Sequence, residues 1–566
     1  MSQPPLPDPL RLESLEVGAA PLVRRFLGRL GLAALLEEHL PALPGRRPGL
    51  PSSATLCLLL ANLLIGRRPL YAIPAWAARR VPEHLGLGPG QVELLNDDRI
   101  GRALDHLARA DRASLLTAVV VRAVREFGLD MSEMHQDTTT VTFSGEYAGQ
   151  EPVGQADRPA RITFGYNKDH RPDLKQLLFS ITISDDGAVP VHCKIYDGNT
   201  SDDQVHIDTW DFLRGIIGHG GFLYVADSKL CTRENMAHIA GRQGRFLTVM
   251  PRTRGEDAWF RQHVQGNPVE WQEVHREPDP RRRDGPDTVY QGVESPSRSS
   301  EGYRVLWYVS SQKRQRDREC RQRKLERARA RLQALDDAGR AFNGEGKALE
   351  AARRIIQDEE AGRWLSPGAE AVVEEEYRQS RPGRPGPGTE YRRVEKRRWK
   401  ARLAEDGEAV KRDACCDGMF PLMTNDGELG LREALLKYKY QPFVEKRHEQ
   451  MKSVFGVAPM WLKNARRVES LLWLYFVVEL VQALMEREVR LRMEEEELAS
   501  LALYPEGRAS VGPTAGLVIG AVEGHRRHRL LDEQGQELRR FHDPLSDAAQ
   551  EALRLLGVDL APYGLP

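Results

Sequence analysis

The sequence predicts an α/β protein: a layered strand-and-helix core, split by a large insertion and preceded by an all-helical domain. Three observations carry this prediction. Between residues 131 and 250, short β-branched or apolar runs alternate with helical stretches, the pattern of an α/β layer. Between 251 and 430 that texture gives way to charge and Pro/Gly-rich segments. Upstream, over 1–130, apolar side chains recur at helical spacing.

In chain order, PLVRRFLGRLGLAALLEEHLP (21–41) and SATLCLLLANLLIG (53–66) read as helices, and Asp97-Asp98 stand where a cap for RIGRALDHLARA belongs. Residues 1–130 therefore form a helical N-terminal domain, a unit suited either to reading DNA or to joining subunits. MHQDTTTVTF (134–143) alternates as a strand should, and SGEYAGQEPVGQADRPAR (144–161) reads as a loop. KQLLFSITISDDGAVPVHCKIYDGNTSD makes two strands around the turn Asp185-Asp186-Gly187, and DQVHIDTWDFLRGII (203–217) is helical. FLYVADSKL (222–230) is a short apolar strand ending in an acid, as in strands covered on both faces. A helix over 232–242 and a strand FLTVM (246–250) complete the first part of the core, 131–250.

The insertion, 251–430, opens and closes around the loop-forming stretches EPDPRRRDGPD (277–287) and RPGRPGPG (381–388). Between them, 311–361 is a charged helical hairpin; residues 313–331 carry ten Lys/Arg against three acids, which suits a solvated surface or a phosphate-contacting arm. A second basic cluster, YRRVEKRRWKAR (391–402), has aromatics interleaved and so points more strongly to nucleic acid. After a strand MFPLMT (419–424), helices over 429–456 and 467–497 form the C-terminal part of the core, 431–500. The second of these is apolar nearly all round, as a buried scaffold helix is. Residues 501–566 are left as a C-terminal tail region.

At 566 residues the chain exceeds the ~250–300 at which single hydrophobic cores stop growing, so several structural units are expected. Lys plus Arg equals Asp plus Glu, 82 each, which excludes a uniformly basic protein and leaves any DNA contact to local patches. Six scattered cysteines form no C-x-x-C pair, which argues against a structural zinc site and for a reducing compartment. The apolar runs Leu56–Ile65 and Leu471–Leu484 fall short of the ~20 residues that span a bilayer. The N-terminal MSQPPLPDPLRLESLEVG has no basic-then-apolar leader. The expectation is a cytoplasmic protein with no membrane partner.

Three acids carry the chemistry. Asp137 lies in one predicted strand and Asp227 at the C-terminal end of another, and carboxylates at strand ends of an α/β sheet converge where ligands bind. Two hard oxygen donors suit Mg²⁺ or Mn²⁺, whereas zinc favours Cys and His. Capping or turn formation is the alternative role for strand-end aspartates. The third acid is in YKYQPFVEKRHEQMKS (438–453), where Gln441, Glu445 and Lys452 follow Tyr438 at offsets of 3, 7 and 14. On a helix begun by Pro442, Glu445 and Lys452 are seven residues apart and share a face. Glu449, one turn beyond Glu445, is a rival for the third carboxylate.

These segments resemble the bacterial insertion-sequence transposases of the DDE superfamily with a Tyr-Arg-Glu-Lys signature. The signature spacing Y-x2-R-x3-E-x6-K matches Tyr438, Gln441, Glu445 and Lys452; Asp137 in QDTTT matches the first aspartate, written D-x-T, and Asp227 in VADSKL the second. FGYNKDHRPDLKQ and DGNTSD are also similar to this group, as is GRRPLYAIPAW (66–76) to the N-terminal domain of one subgroup. The resemblance covers about 131–495. It departs at Gln441, where a charged bidentate phosphate donor has become a neutral amide; Lys446 or Arg447 are the nearby cations that could replace it.

The resemblance implies an RNase H-like mixed sheet with the third carboxylate on a C-terminal helix, and an insertion within the long stretch that separates Asp227 from Glu445. It implies two Mg²⁺ or Mn²⁺ ions held by Asp137, Asp227 and Glu445, and a DNA phosphate held by Tyr438, Gln441 and Lys452. It implies binding to double-stranded DNA at element ends and target, and metal-dependent cleavage and strand transfer by at least a homodimer. Trp307, Trp364 and Trp399 are candidates for an aromatic platform under a flipped base. The alternatives are a domesticated DNA-binding protein that no longer cuts, and a nuclease of the same fold without a joining step.

Overall fold

The computed structural model describes residues 10–42, 49–147, 158–168, 171–279, 285–454, 462 and 464–566. The loops expected over 144–161 and 277–287 lie partly outside them. The chain forms two compact units: Met1–Thr248 with Leu436–Pro566, and Val249–Leu435.

In the first unit, strands β2 (Glu133–Phe143), β3 (Lys175–Ser184), β4 (Pro190–Asp197), β5 (Leu223–Ala226) and β6 (Arg245–Val249) lie in the order β4-β3-β2-β5-β6. β2, β3 and β4 are antiparallel, whereas β5 is parallel to β2 and β6 to β5. This mixed sheet is compatible with an RNase H-like transposase fold. Thr, Val and Ile crowd β2 and β3, whose side chains are almost all buried. The hairpin turn carries Gly187 at φ 79°, a conformation glycine takes without a steric cost; a Cβ there would meet Arg487 at 2.9 Å.

The helix Ala465–Glu495 is the spine of this unit. Its most apolar window is long enough for a bilayer, yet it is wholly buried in the protein. Arg467 pairs both oxygens of Asp105 at 2.7 Å, and Arg487 pairs both oxygens of Asp186 at 2.7 Å while also donating to the Phe127 carbonyl at 3.0 Å. The helix thereby joins the helices Asp97–Ala108 and Arg112–Phe127 to the β3–β4 turn. The former is capped by Asn96, whose side chain accepts from Arg99 N–H at 2.8 Å, one residue before the aspartates that the sequence offers.

Two expectations need correction. The N-terminal region is not all helical: Arg11–Glu16 is a strand, β1, which pairs antiparallel along its length with β13 (Arg526–Leu531), itself paired with β14 (Glu537–His542). Nor is 501–566 a tail, because it closes this three-stranded sheet, and the buried Tyr563 donates its hydroxyl to the Gly18 carbonyl at 2.9 Å. A pairing between segments from opposite ends of the sequence leaves no local periodicity to read, and RLESLE is mostly exposed or half-buried, so its alternation is weak.

The second unit holds β7 (Gln272–Glu277), β8 (Thr288–Glu294), β9 (Arg304–Ser310), β10 (Leu365–Gln379), β11 (Tyr391–Glu405) and β12 (Met419–Thr424). Four of these form the antiparallel run β12-β9-β8-β7. The charged hairpin is present as helices Ser311–Asp337 and Glu345–Asp358, whose inner faces bury Leu325, Ala328, Ile355 and Ile356 against Trp364 and Leu365. β10 and β11 make a separate two-stranded ribbon.

Candidate active site

Asp137 and Asp227 are brought together by strand register. β3 accompanies β2 over Met134–Phe143, but β5 pairs only with Glu133–Gln136 and ends opposite Gln136 at Ala226. Asp137 is therefore the first β2 residue past the end of β5, and Asp227 is the first residue beyond that end. Two parallel strands deliver their carboxylates to the same sheet edge. Asp227 is fixed by its own turn, its side chain accepting from Lys229 N–H at 2.9 Å and its carbonyl from the Thr248 hydroxyl at 2.6 Å.

The third acid arrives on a broken helix. The single helix expected over 429–456 is two, Leu431–Tyr438 and Pro442–Glu449, because Pro442 lacks the N–H that would continue it and begins a new first turn. Glu445 projects from that turn at the rim of the site. Burial raises its pKa first and the charge of Asp137 adds to the shift. Asp137 and Asp227 are also held above the ordinary carboxylate range, by burial foremost; Asp202 adds its charge to both, and Asp137 to Asp227. The half-buried Tyr438 phenol is pushed up to about 12 by burial and then by Asp227, Glu445 and Asp137 together. Glu449 is not among those charges.

Sequence reasoning missed three participants. Lys168 places its ammonium 3.7 Å from Asp137 and 3.2 Å from Asp202, and donates to the carbonyl and hydroxyl of Thr138 at 2.6 and 2.9 Å. Both residues lie in the segments FGYNKDHRPDLKQ and DGNTSD, where the signal was a family likeness without an assigned role. His448 is the third: its Nε2 is 3.7 Å from Asp137, and burial, then the charges of Lys168 and Lys452, lower its pKa to about 3, so the ring is neutral.

Gln441 is turned into the protein interior. It is buried; its amide N–H donates to the Gln136 carbonyl at 2.7 Å and its oxygen lies 3.3 Å from His135 Nδ1. His135 Nε2 in turn lies 2.9 Å from Glu133, which also takes an ion pair from Lys437. Burial would raise Glu133, but hydrogen bonds from His135 and Lys437 hold it below its usual value. Gln441 thus ties the helix of Glu445 to the strand of Asp137.

The two neighbouring cations differ in setting. Arg447 is buried, bonded to the Ala188 carbonyl at 3.1 Å and paired with Glu486 at 3.1 Å, while exposed Lys446 stacks over Phe443 at 4.7 Å. The expected α-helical spacing of Glu445 and Lys452 is also broken. From Gln450 to Val454 the helix widens to a π turn, so Lys452 follows Glu445 through a change of helical pitch. Trp307 and Trp364 belong to the core of the second unit, Trp307 stacked 4.5 Å from Phe260 and Trp364 buried beside Asp413.

Among the described residues, no three His, Cys, Asp or Glu side chains already converge in metal-binding geometry. The like charges of Asp137 and Glu445 oppose such a closure. The donor chemistry still fits a hard divalent cation: the acids offer oxygen alone, and their raised pKa values record burial and mutual repulsion that a cation would relieve.

A family model described as a domain of unknown function (DUF4277) matches residues 12–121. Among solved structures the chain is similar to a piggyBac transposase synaptic complex with hairpin DNA, at 8% identity and a TM-score of 0.35, over 84% of this chain and 76% of that one. No curated protein matches the sequence.

Proposed function

We propose that the chain is a DDE-type transposase of the insertion-sequence kind, which binds the ends of a mobile DNA element, cuts them and joins them to a target. The observation that carries this reading is the strand register that sets Asp137 beside Asp227 where β5 ends, with Tyr438 and Glu445 near enough for the charges of these acids to act on them. Mixed-sheet acids of this arrangement suit phosphodiester chemistry, which needs positioning and charge stabilisation and no protein nucleophile.

Asp137, Asp227 and Glu445 would hold two Mg²⁺ or Mn²⁺ ions, which when bound supply Lewis acidity to the scissile phosphate and lower the pKa of an attacking water or 3′-hydroxyl. Lys168 balances the charge of Asp137 and Asp202 and offers its ammonium to a phosphate oxygen. The Tyr438 phenol, held protonated by the acids around it, donates a hydrogen bond to the same phosphate. Lys452 adds positive charge beside His448. Buried neutral His448 lies against Asp137, its Nε2 3.7 Å away. Gln441 acts through β2 and does not touch DNA. Cutting two ends in one complex calls for two chains.

The test is incubation of the full chain with DNA carrying the inverted repeats that flank its gene, with Mg²⁺ or Mn²⁺. The expected products are cut ends and joined target. Asp137→Ala, Asp227→Ala and Glu445→Ala should each lower cleavage at least ~1,000-fold, about 4 kcal/mol of transition-state stabilisation, with end binding retained. Hydrolysis without joining would make the chain a nuclease, and binding without cleavage a domesticated DNA-binding protein. Full cleavage by Glu445→Ala with loss in Glu449→Ala would move the third carboxylate.

A further inference from the structure

The ribbon β10–β11 has no role in the site above. Its strands run 15 residues each, about 50 Å at ~3.3 Å per residue, and pair continuously from Leu365↔Glu405 to Gln379↔Tyr391. Its base is anchored: Leu365 and Leu403 pack into the helical-hairpin core, and Phe342 exchanges two backbone hydrogen bonds with Trp399. Beyond the base none of residues 366–400 is buried. A two-stranded ribbon exposed on both faces gains little stability from itself.

Charge is segregated along this ribbon. In the stem most cations are matched, Arg402 with Glu370 and Asp336, Arg398 with Glu374 and Lys396 with Glu376, while Arg397 lies over the Trp399 ring. Towards the tip, residues 377–393 hold five arginines and one acid. Among the described residues Arg381, Arg384 and Arg392 have no ion-pair partner. Tyr377 and Tyr391 stand on one face of the ribbon near its end, 63% and 52% exposed. Unneutralised arginines beside exposed tyrosines at the end of a projecting ribbon fit a polyanion with flat faces and grooves, and a B-DNA major groove, ~12 Å wide, admits a two-stranded ribbon.

We infer that the β10–β11 ribbon is a DNA-contacting arm, whose tip arginines Arg381, Arg384 and Arg392 bind phosphates of a duplex. The inference rests on the transposase reading for its ligand class. The experiment is fluorescence anisotropy of the full chain on a labelled 40-base-pair duplex of arbitrary sequence, between ~50 and 200 mM salt. In the wild type, log K should fall steeply with log salt. In Arg381→Ala/Arg384→Ala/Arg392→Ala the slope should flatten by about 3, at ~0.9 per lost phosphate contact, and affinity at the lowest salt should fall at least tenfold. The triple Arg→Lys variant should keep the slope. Unchanged slope and affinity in the alanine variant, with tight wild-type binding, would overturn the arm and leave the transposase reading intact. Absence of any salt-dependent duplex binding by the wild type would overturn the reading and the arm with it. Conversion of the alanine variant to a smaller oligomer in sedimentation, at unchanged DNA affinity, would assign the ribbon to a second copy of the chain and also refute the arm.

Discussion

Glu479 should make the protein lose stability as pH rises through neutrality. It lies in the middle of the spine helix Ala465–Glu495, almost fully buried, and neither carboxyl oxygen has a hydrogen-bond partner among the described residues. Burial pushes its pKa up from 4.5 to about 8, against a smaller opposing pull from Arg447. The folded state therefore keeps a proton that the unfolded chain releases above 4.5. The contribution of that proton is complete below the unfolded pKa and drains away as pH climbs towards 8. At ~1.4 kcal/mol per pH unit, folding loses about 3 kcal/mol between pH 4.5 and pH 7. Glu479→Gln keeps the shape and removes only the ionisation. Urea unfolding of wild type and variant at pH 5, 6, 7 and 8, followed by tryptophan fluorescence, should give near-equal stabilities at pH 5 and a gap in favour of the variant of about 3 kcal/mol at pH 7. Parallel stability profiles for the two proteins from pH 5 to pH 8 would refute the argument.

Three further outcomes follow from the same geometry. Gln441→Ala removes the bond to the Gln136 carbonyl and leaves buried polar groups unmatched, for a loss of about 1–3 kcal/mol; steady-state kinetics should show kcat falling with KM for DNA little changed, because the residue positions Glu445 without touching substrate. Arg447→Ala removes the nearer cation of buried Glu486, at 3.1 Å, and leaves it Arg490 at 4.0 Å and the Ala515 N–H at 3.2 Å, so thermal melts should show a loss of about 3 kcal/mol. Deleting residues 1–130 strips β1 from β13 and uncovers the apolar spine helix, so the truncated chain should aggregate on size-exclusion chromatography.

The fold was legible where local chemistry dictates it. β-branched alternation marks β2 and β3, an apolar run ending in an acid marks β5, and Pro/Gly and charge mark the edges of the insertion. It was illegible where long-range pairing decides. Nothing within RLESLE announces a partner strand near the opposite end of the sequence. The site divides in the same way. Asp137 and Asp227 are readable as acids in or just past strands, and Tyr438 and Glu445 from their local spacing. Lys168, Asp202 and His448 enter by tertiary proximity to Asp137, and such proximity has no period in the sequence.

Gln441 shows why a signature position and a chemical role should be kept apart. The spacing that places a phosphate-binding arginine three residues after Tyr438 puts a buried amide there instead, turned towards His135 and the Gln136 carbonyl. A guanidinium in that pocket would face His135 and reach the Glu133–Lys437 pair, adding a cation where Lys437 already neutralises the acid. The amide supplies one donor and one acceptor to β2 and no net charge, so the relay closes without an unpaired ion. The cation that the proposed function gives to the phosphate is Lys168, held between Asp137 and Asp202 beside the sheet edge. The position therefore links the helix of Glu445 to the strand of Asp137, and the transposase reading assigns the phosphate to residues from other segments of the chain.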